Sequence, residues 1–357
     1  MEVKKPYRLA NNTVLRLSPE FILPEEQRPC LSEVSDVNVV PIVDLKGYDE
    51  CENGLVKTVS EACRGVGMFQ VINHGVPPDL CHGVSVAVSK FFQLPAEERA
   101  IYETKDHSRR IKIFNYYLKS DDDEQTKVTM WSETFSHPWH PSEDFTHHLP
   151  TKPPEYWYQP RIISDVLSAY AREIGSVMNR VLSLMSKGLG LEENALVRRL
   201  GENPNFYSQA NYYPPCPQPD LTMGLNEHAD ITGLTLLHQF NGVPDLQVKY
   251  DENWVAVDPL PGAFVIILAD QIQLLSNGRY KSPVHRAVTN KMLPRLSLAM
   301  FYAPNDETLI GPMEEMTDEE HPPIYRNYRY KEYMQEFYRQ QGKKKRLKEA
   351  FMLQRQP

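Results

Sequence analysis

Cysteine is scarce in this chain. There are five in 357 residues, Cys30, Cys51, Cys63, Cys81 and Cys216, an odd number with no Cys-x-x-Cys spacing. That argues against a disulfide framework or a thiolate zinc site and fits free thiols in a reducing compartment. Long apolar runs are missing too: nothing reaches the roughly 18 consecutive apolar residues of a membrane-spanning helix. The opening MEVKKPYRLANNTVLRL lacks the apolar centre of a secretory signal. A soluble cytoplasmic protein is the expectation. Positive charge is in deficit, with 39 Lys and Arg against 47 Asp and Glu, a net charge of -8. A nucleic-acid surface or an anionic membrane is therefore a poor partner. The one basic run, GKKKRLKEAF near the C-terminus, reads as the solvated face of a last helix or as a localisation signal, which keeps the nucleus open.

What the chain has is material for a large core, 41% hydrophobic against 24% charged, in a globular balance. Residues 1–38 read as an irregular tether. VVPIVDL (39–45) and GMFQVINHG (67–75) read as short buried strands. PPDLCHGVSVAVSKFFQLPAEERA opens on proline and carries apolar residues at helical spacing until Pro95. Residues 103–130, with the acidic KSDDDEQTK, read as a polar loop or hairpin. A long helix is expected from about Arg161 to Lys187, because Ile163, Val166, Tyr170, Ile174, Val177, Val181 and Leu184 recur every three or four residues before KGLGL closes it. From Asn211 the texture changes to short apolar runs between Gly, Pro and Asn: LTLLHQF, LQVKY, WVAVDP, AFVIILAD, HRAVTN and RLSLAMFYAP. Many short strands with turns between them predict a β-sandwich or barrel flanked by helices, in one cooperative unit.

GLNEHADITGLTLL (224–237) places His228 and Asp230 two residues apart, where an ordinary strand would carry threonine or valine. An isolated His-x-Asp is more often a polar turn ahead of a strand. Farther on, SPVHRAVTN adds His285. Two imidazoles and one carboxylate, the first pair at alternate positions of a strand end, suit non-haem Fe(II), which such a set holds on one face with open positions left over. A structural zinc would want a fourth ligand, preferably cysteine, and the neighbourhood offers none. Arg295 and Ser297 alternate on the next strand and so share a face. A guanidinium fork grips a carboxylate at two points, and serine adds a hydroxyl. Tyr213, in NYYPPCP, is a third candidate donor. The plainer reading of Arg295 is a surface residue bridged to an acid. His137, His140, His147 and His148 crowd one stretch, but proline breaks their spacing and disfavours a second metal site.

NYYPPCPQPDLTMGLNEHAD, SNGRYKSPVHRAVTN and RLSLAMFYAP closely resemble the plant Fe(II)- and 2-oxoglutarate-dependent dioxygenases: anthocyanidin synthase, flavonol and flavone synthases, hyoscyamine hydroxylase and the salicylate hydroxylases of the downy-mildew-resistance group. MFQVINHGV, FFQLPAEER and RPCLSEVSDVNVVPIVDL fit the same family's N-terminal half. The resemblance spans roughly residues 17–340. It implies a mainly β protein with flanking helices around a distorted double-stranded β-helix, the jelly roll of the isopenicillin N synthase type. The implied partition is an N-terminal region of the non-haem dioxygenase type (1–160), a long supporting helix (161–190), the dioxygenase core (205–310) and a C-terminal helical segment (311–357). It also implies that His228, Asp230 and His285 hold Fe(II), that Arg295, Ser297 and Tyr213 hold the distal carboxylate of 2-oxoglutarate, and that Asn211 sits beside this co-substrate. Ala229 departs from the family's usual Thr or Ser without touching the ligand set.

The resemblance further implies oxidative decarboxylation of 2-oxoglutarate to succinate and CO2, coupled to hydroxylation or desaturation of a substrate by O2, with ascorbate as reductant. The expected substrate is a small aromatic metabolite or hormone: a flavonoid, a salicylate-like phenolic, a coumarin or an indole. Phe301 matches a position that stacks on an aromatic ring, and it also reads as barrel packing. Trp131, Thr134 and Phe135, in MWSETFSHPWHP, are expected as pocket walls. Gln209 stands where anthocyanidin synthase has a lysine, so that enzyme's substrate contacts do not transfer. A monomer is expected. Two alternatives stay open on the residues: an iron oxidase of this fold that does not use 2-oxoglutarate, and a non-catalytic jelly roll that binds a phenolic.

Overall fold

The structure is a computed structural model that describes residues 9, 17–30, 34, 35, 37–46, 52–104, 106, 109–119, 127–143, 163–201, 203–340 and 347–354, with only the backbone at 163–166. β1 (Ile42–Asp44) runs parallel to β2 (Met68–Ile72), with α1 (Glu52–Gly65) as the crossover between them. α2 (Pro78–Gln93) begins on proline, whose missing N–H costs nothing in the first turn, and stops before Pro95. Next come β3 (Lys112–Phe114), β4 (Tyr117–Lys119), β5 (Lys127–Thr129) and β6 (Glu133–Pro138). The expected loop or hairpin over 103–130 is therefore strand β3 followed by a β4–β5 hairpin, and the acidic residues 120–126 lie outside the described residues.

α3 (Ile163–Gly188) is the long helix. Tyr170, Ile174, Val177, Val181 and Leu184 of the expected stripe are all buried, while the side chains of Ile163 and Val166 and the residue Arg161 lie outside the described residues. The elements that follow and bear on the site are β7 (Asn205–Tyr213), β8 (Leu225–His228), β9 (Leu234–Gln239), β10 (Leu246–Tyr250), β11 (Asn253–Ala256), β12 (Phe264–Leu268), α4 (Asp270–Leu275), β13 (His285–Ala287), β14 (Arg295–Ala303) and α5 (Tyr330–Arg339).

These strands make two facing sheets, an eight-stranded one in the order β1-β2-β12-β9-β14-β7-β6-β3 and a four-stranded one in the order β11-β10-β13-β8. β12 is apolar throughout and β9 and β14 are largely so, for a visible reason. On β14, Leu298, Met300 and Tyr302 pack among the helices, while Ala299 and Phe301 pack toward the small sheet. β12 does the same, with Phe264, Ile266 and Leu268 on the helix side and Val265 and Ile267 on the other. A strand buried on both faces has no polar side to show. Helices on one side and a second sheet on the other give the expected jelly roll. Its N-terminal third is not a separate layer, since β1, β2, β3 and β6 extend the same sheet as the core strands.

The described part of the C-terminal basic run is not a solvated face. Lys348 pairs with the buried Asp270 at 2.9 Å, and Phe351 packs on Tyr328 and Tyr333; residues 342–346 lie outside the described residues. Among the described residues no helix is long and apolar enough to cross a membrane. Cys63, Cys81 and Cys216 are free thiols, and Cys51 lies outside the described residues.

Candidate metal centre

His228 is the last residue of β8 and His285 the first of β13, and the antiparallel register sets them directly opposite each other. Cross-strand neighbours stand close enough for their side chains to meet, and here the ring centroids are 4.2 Å apart. Asp230 returns from the turn after β8, with Oδ1 at 3.6 Å from His228 Nε2 and 3.8 Å from His285 Nε2. One ligand-type atom from each residue lies within 4.8 Å of the others, the one such cluster among the described residues.

Each group is oriented from behind. His228 Nδ1 faces the Asn226 carbonyl at 2.8 Å and His285 Nδ1 faces that of Pro283 at 3.2 Å. A proton on each Nδ1 leaves both Nε2 lone pairs turned to the shared centre, which is how proteins fix ligating imidazoles. The Thr235 hydroxyl donates to Asp230 Oδ2 at 2.6 Å, and the Asp270 amide donates to the Asp230 carbonyl at 2.8 Å. Burial, assisted by the neighbouring His228, lowers the His285 imidazole to about 4. Burial alone would raise Asp230, but His285, His228 and the Thr235 hydroxyl outweigh it and hold the carboxyl at about 2. A neutral ring and an ionised carboxylate are the protonation states a divalent cation requires of its ligands.

The cluster lines a cavity of about 440 Å³ between the sheets. At one end the β14–β7 register pairs Arg295 with Tyr213 and Ser297 with Asn211. The Arg295 guanidinium sits 5.0 Å from the Tyr213 ring centre and donates to Gln239 Oε1 at 3.1 Å. Tyr213 reaches this place because Gly224 is small; a Cβ there would come within 2.6 Å of the tyrosine ring. Arg295 and Ser297 are 2% and 1% exposed, yet Arg295 Nε and Ser297 Oγ have no hydrogen-bond partner among the described residues. Buried donors without partners are costly. Two on one wall of a cavity fit a carboxylate that arrives from outside the chain, so the donor set suits an Fe(II)–keto acid site.

Other expected residues separate into two groups. Phe301 and Gln209 line the cavity, Phe301 stacked on Tyr207 with centroids 4.6 Å apart. Asn211 lines it as well, its amide oxygen accepting from Thr134 Oγ1 at 2.8 Å. Trp131, Thr134 and Phe135 are not walls. Trp131 precedes β6, packs edge-on against Phe21 at 5.0 Å and donates to the Pro214 carbonyl. Phe135 points to the helix side and stacks on Phe91 at 4.2 Å. Thr134 shares the cavity-side face of β6, but its hydroxyl is engaged by Asn211 and it stays behind the lining, which β6 supplies through Ser136 and Pro138. His137 is buried against Ser208 and the Pro138 carbonyl, and His140 caps the turn at Ser142 and Glu143. His147 and His148 lie outside the described residues.

Sequence reading missed Tyr116 and Tyr207, and also Tyr330, Met334 and Phe337, the cavity-facing stripe of α5. The helical spacing of those last three was a visible signal, but nothing in it told what the stripe faces. α5 is seated by Tyr333, whose hydroxyl donates to Asp270 Oδ2 at 2.6 Å.

Comparison with known proteins agrees with this geometry. Residues 205–304 match the 2OG-Fe(II) oxygenase superfamily, and residues 40–160 match the family described as non-haem dioxygenase in morphine synthesis N-terminal. Flavanone 3-dioxygenase 2 of Oryza sativa subsp. japonica is 35% identical, over 94% of this chain and 95% of its own. Protein DOWNY MILDEW RESISTANCE 6 of Arabidopsis thaliana is 36% identical, over 90% and 91%. The crystal structure of JOX2 in complex with 2OG, Fe and JA superposes with a TM-score of 0.81 at 32% identity, covering 97% of this chain and 96% of that one. With such identity along nearly the whole of both sequences, the chain belongs to the 2OG-Fe(II) oxygenase superfamily and is an Fe(II)- and 2-oxoglutarate-dependent dioxygenase.

Proposed function

We propose that His228, Asp230 and His285 hold one Fe(II), that Arg295 and Ser297, with Tyr213 and Asn211 beside them, hold the distal carboxylate of 2-oxoglutarate, and that the enzyme hydroxylates or desaturates a small aromatic metabolite or hormone. The observation that carries this is the pair of unpartnered buried donors, Arg295 Nε and Ser297 Oγ, lining one cavity with the three-residue cluster. Bound iron supplies the oxygen chemistry, in which 2-oxoglutarate is decarboxylated to succinate and CO2 while the substrate gains oxygen or loses hydrogen. The chain's part is placement. Arg295 answers the carboxylate charge, and Thr235 and the two backbone carbonyls keep the cluster aimed. The apolar lining from Leu237, Ile267 and Ala299 keeps water sparse around the reacting groups.

An aromatic substrate is supported by the rings on the other walls: Phe114, Tyr116, Phe206, Tyr207, Phe301 and Phe337. The relatives' names support a small metabolite or hormone but not one ring type: one is a flavanone dioxygenase, JOX2 was crystallised with JA, which has no aromatic ring, and a rice dioxygenase for auxin oxidation superposes with a TM-score of 0.69 at 25% identity. Ascorbate as the reductant, a cytoplasmic setting, a monomeric chain and a core bounded at residues 205–310 belong to the same proposal.

The test is a turnover screen with Fe(II), ascorbate and 2-oxoglutarate over flavonoids, phenolic acids, coumarins and indoles, with succinate and product mass followed together. The expected result is succinate accompanied by a gain of one oxygen or a loss of two hydrogens on one compound class. Product formed without succinate would remove 2-oxoglutarate from the reaction, and tight ligand binding with neither would make the protein a binder.

A further inference from the structure

On the cavity-side face of the large sheet, Gln209 stands between two rows that already have roles. The register places Asn211 and Ser297 on one side of it and Tyr207 and Phe301 on the other. In its own row the neighbours are Ala299 on β14, Leu237 on β9 and Ser136 on β6, so its amide and the Ser136 hydroxyl are the polar groups of an otherwise apolar strip. Tyr116, 93 residues away in sequence, comes over the top of the strip from the turn between β3 and β4, and its hydroxyl donates to Gln209 Oε1 at 2.8 Å. Burial holds the Tyr116 phenol well above its usual range, so the hydroxyl keeps its proton and remains a donor. With Oε1 taken, the amide is turned so that Nε2 is the free end, and among the described residues nothing accepts from it. Both side chains line the cavity.

An amide needs two partners of opposite kind, and here the protein supplies only the donor side. We propose that Tyr116 and Gln209 form a recognition pair, in which Tyr116 is the positioning residue that fixes the amide and Gln209 Nε2 donates to an acceptor oxygen on the ring system of the substrate. This rests on the functional reading above and narrows it to a class: planar rings carrying a carbonyl or phenolic oxygen. Ammonium-bearing rings, which would set donor against donor, are excluded, and bare hydrocarbon rings, which would leave the amide unpaired, are disfavoured. Phe301 and Tyr207 give the ring a flat neighbour one row away, and the metal cluster lies across the cavity on β8 and β13.

The test is equilibrium binding without oxygen, with Fe(II) and 2-oxoglutarate present, to two matched probe pairs: a flavanone against the flavan that lacks its ring carbonyl, and coumarin against 2H-chromene. The wild-type chain is expected to prefer the carbonyl member of at least one pair by about tenfold, the ratio equivalent to about 1.4 kcal/mol. Gln209→Leu should bring that ratio to about one. Gln209→Glu, which keeps the bond to Tyr116 but turns an acceptor to the cavity, should reverse it. Tyr116→Phe, which preserves the ring and the fold, should give a ratio in between, an effect that a merely structural tie would not produce. Equal affinities within both pairs, absence of binding included, would overturn the proposal, as would a wild-type ratio that survives in all three variants. Succinate release reads the metal and clamp roles separately: discrimination without succinate would sink those roles and leave the pair standing.

Discussion

The two ends of the cavity were built in different ways. At the proposed metal and clamp end, every group except Asp230, which comes from the turn after β8, stands on neighbouring strands of the core: β8 faces β13 through the His228–His285 pair, and β14 faces β7 through Arg295–Tyr213 and Ser297–Asn211. At the proposed substrate end the cavity lining comes from parts distant in sequence: Tyr116 before β4, Ser136 on β6, Gln209 on β7 and the α5 stripe of Tyr330, Met334 and Phe337. In this proposal the metal and clamp residues rest mainly on paired strands whose register sets the geometry, whereas the substrate walls combine residues of the same sheet, Gln209 and Ser136, with segments laid over it.

That contrast can be broken by substitution. The largest effect belongs to His285→Ala, expected to abolish both Fe(II) retention and succinate formation; a variant that keeps most of its turnover would mean that another residue completes the cluster. Next is Trp131→Ala, a residue packed on Phe21 away from the cavity. It should cost about 3–5 kcal/mol of stability in a denaturant titration, as removal of a buried indole does, with the probe preferences of the folded protein unchanged. A shift in those preferences would return Trp131 to the wall. Arg295→Ala follows, with loss of a charged hydrogen bond worth about 1.5–3 kcal/mol, or roughly a 10- to 150-fold rise in the 2-oxoglutarate requirement. Iron should stay bound. The smallest effect expected is that of Thr235→Val, which removes the hydroxyl behind Asp230 Oδ2. Direct dialysis should show Fe(II) binding weakened by about tenfold, typical for a group that orients a ligand, and no change would make that bond incidental.

The same contrast explains what could be read from the letters. His228, Asp230, His285, Arg295 and Ser297 were legible because strand alternation and a His-x-Asp spacing are local signals, and the family motifs run through them. The short apolar runs at β9, β12 and β14 announced strands, though not that both of their faces are covered. Trp131 and Phe135 were misjudged because a short strand shows its two faces only once its register is known: Phe135 pairs with Ala210 and points to the helices, while Ser136 pairs with Gln209 and points to the cavity. Tyr116 had no local signal, since its importance comes from a contact spanning 93 residues. The sequence suggested strands at 39–45 and 67–75 within a helical and strand N-terminal region, but not that β1, β2, β3 and β6 join the core sheet.

The most direct measurement is an anaerobic equilibrium titration of Fe(II) followed by 2-oxoglutarate, carried out in parallel on the wild-type chain, Asp230→Ala and Arg295→Ala. The account predicts one iron and one keto acid per wild-type chain, loss of the iron in the first variant, and in the second an unchanged iron with keto-acid binding weakened roughly 10- to 150-fold. Iron bound equally well without the Asp230 carboxylate, or 2-oxoglutarate bound equally well without the Arg295 guanidinium, would contradict it.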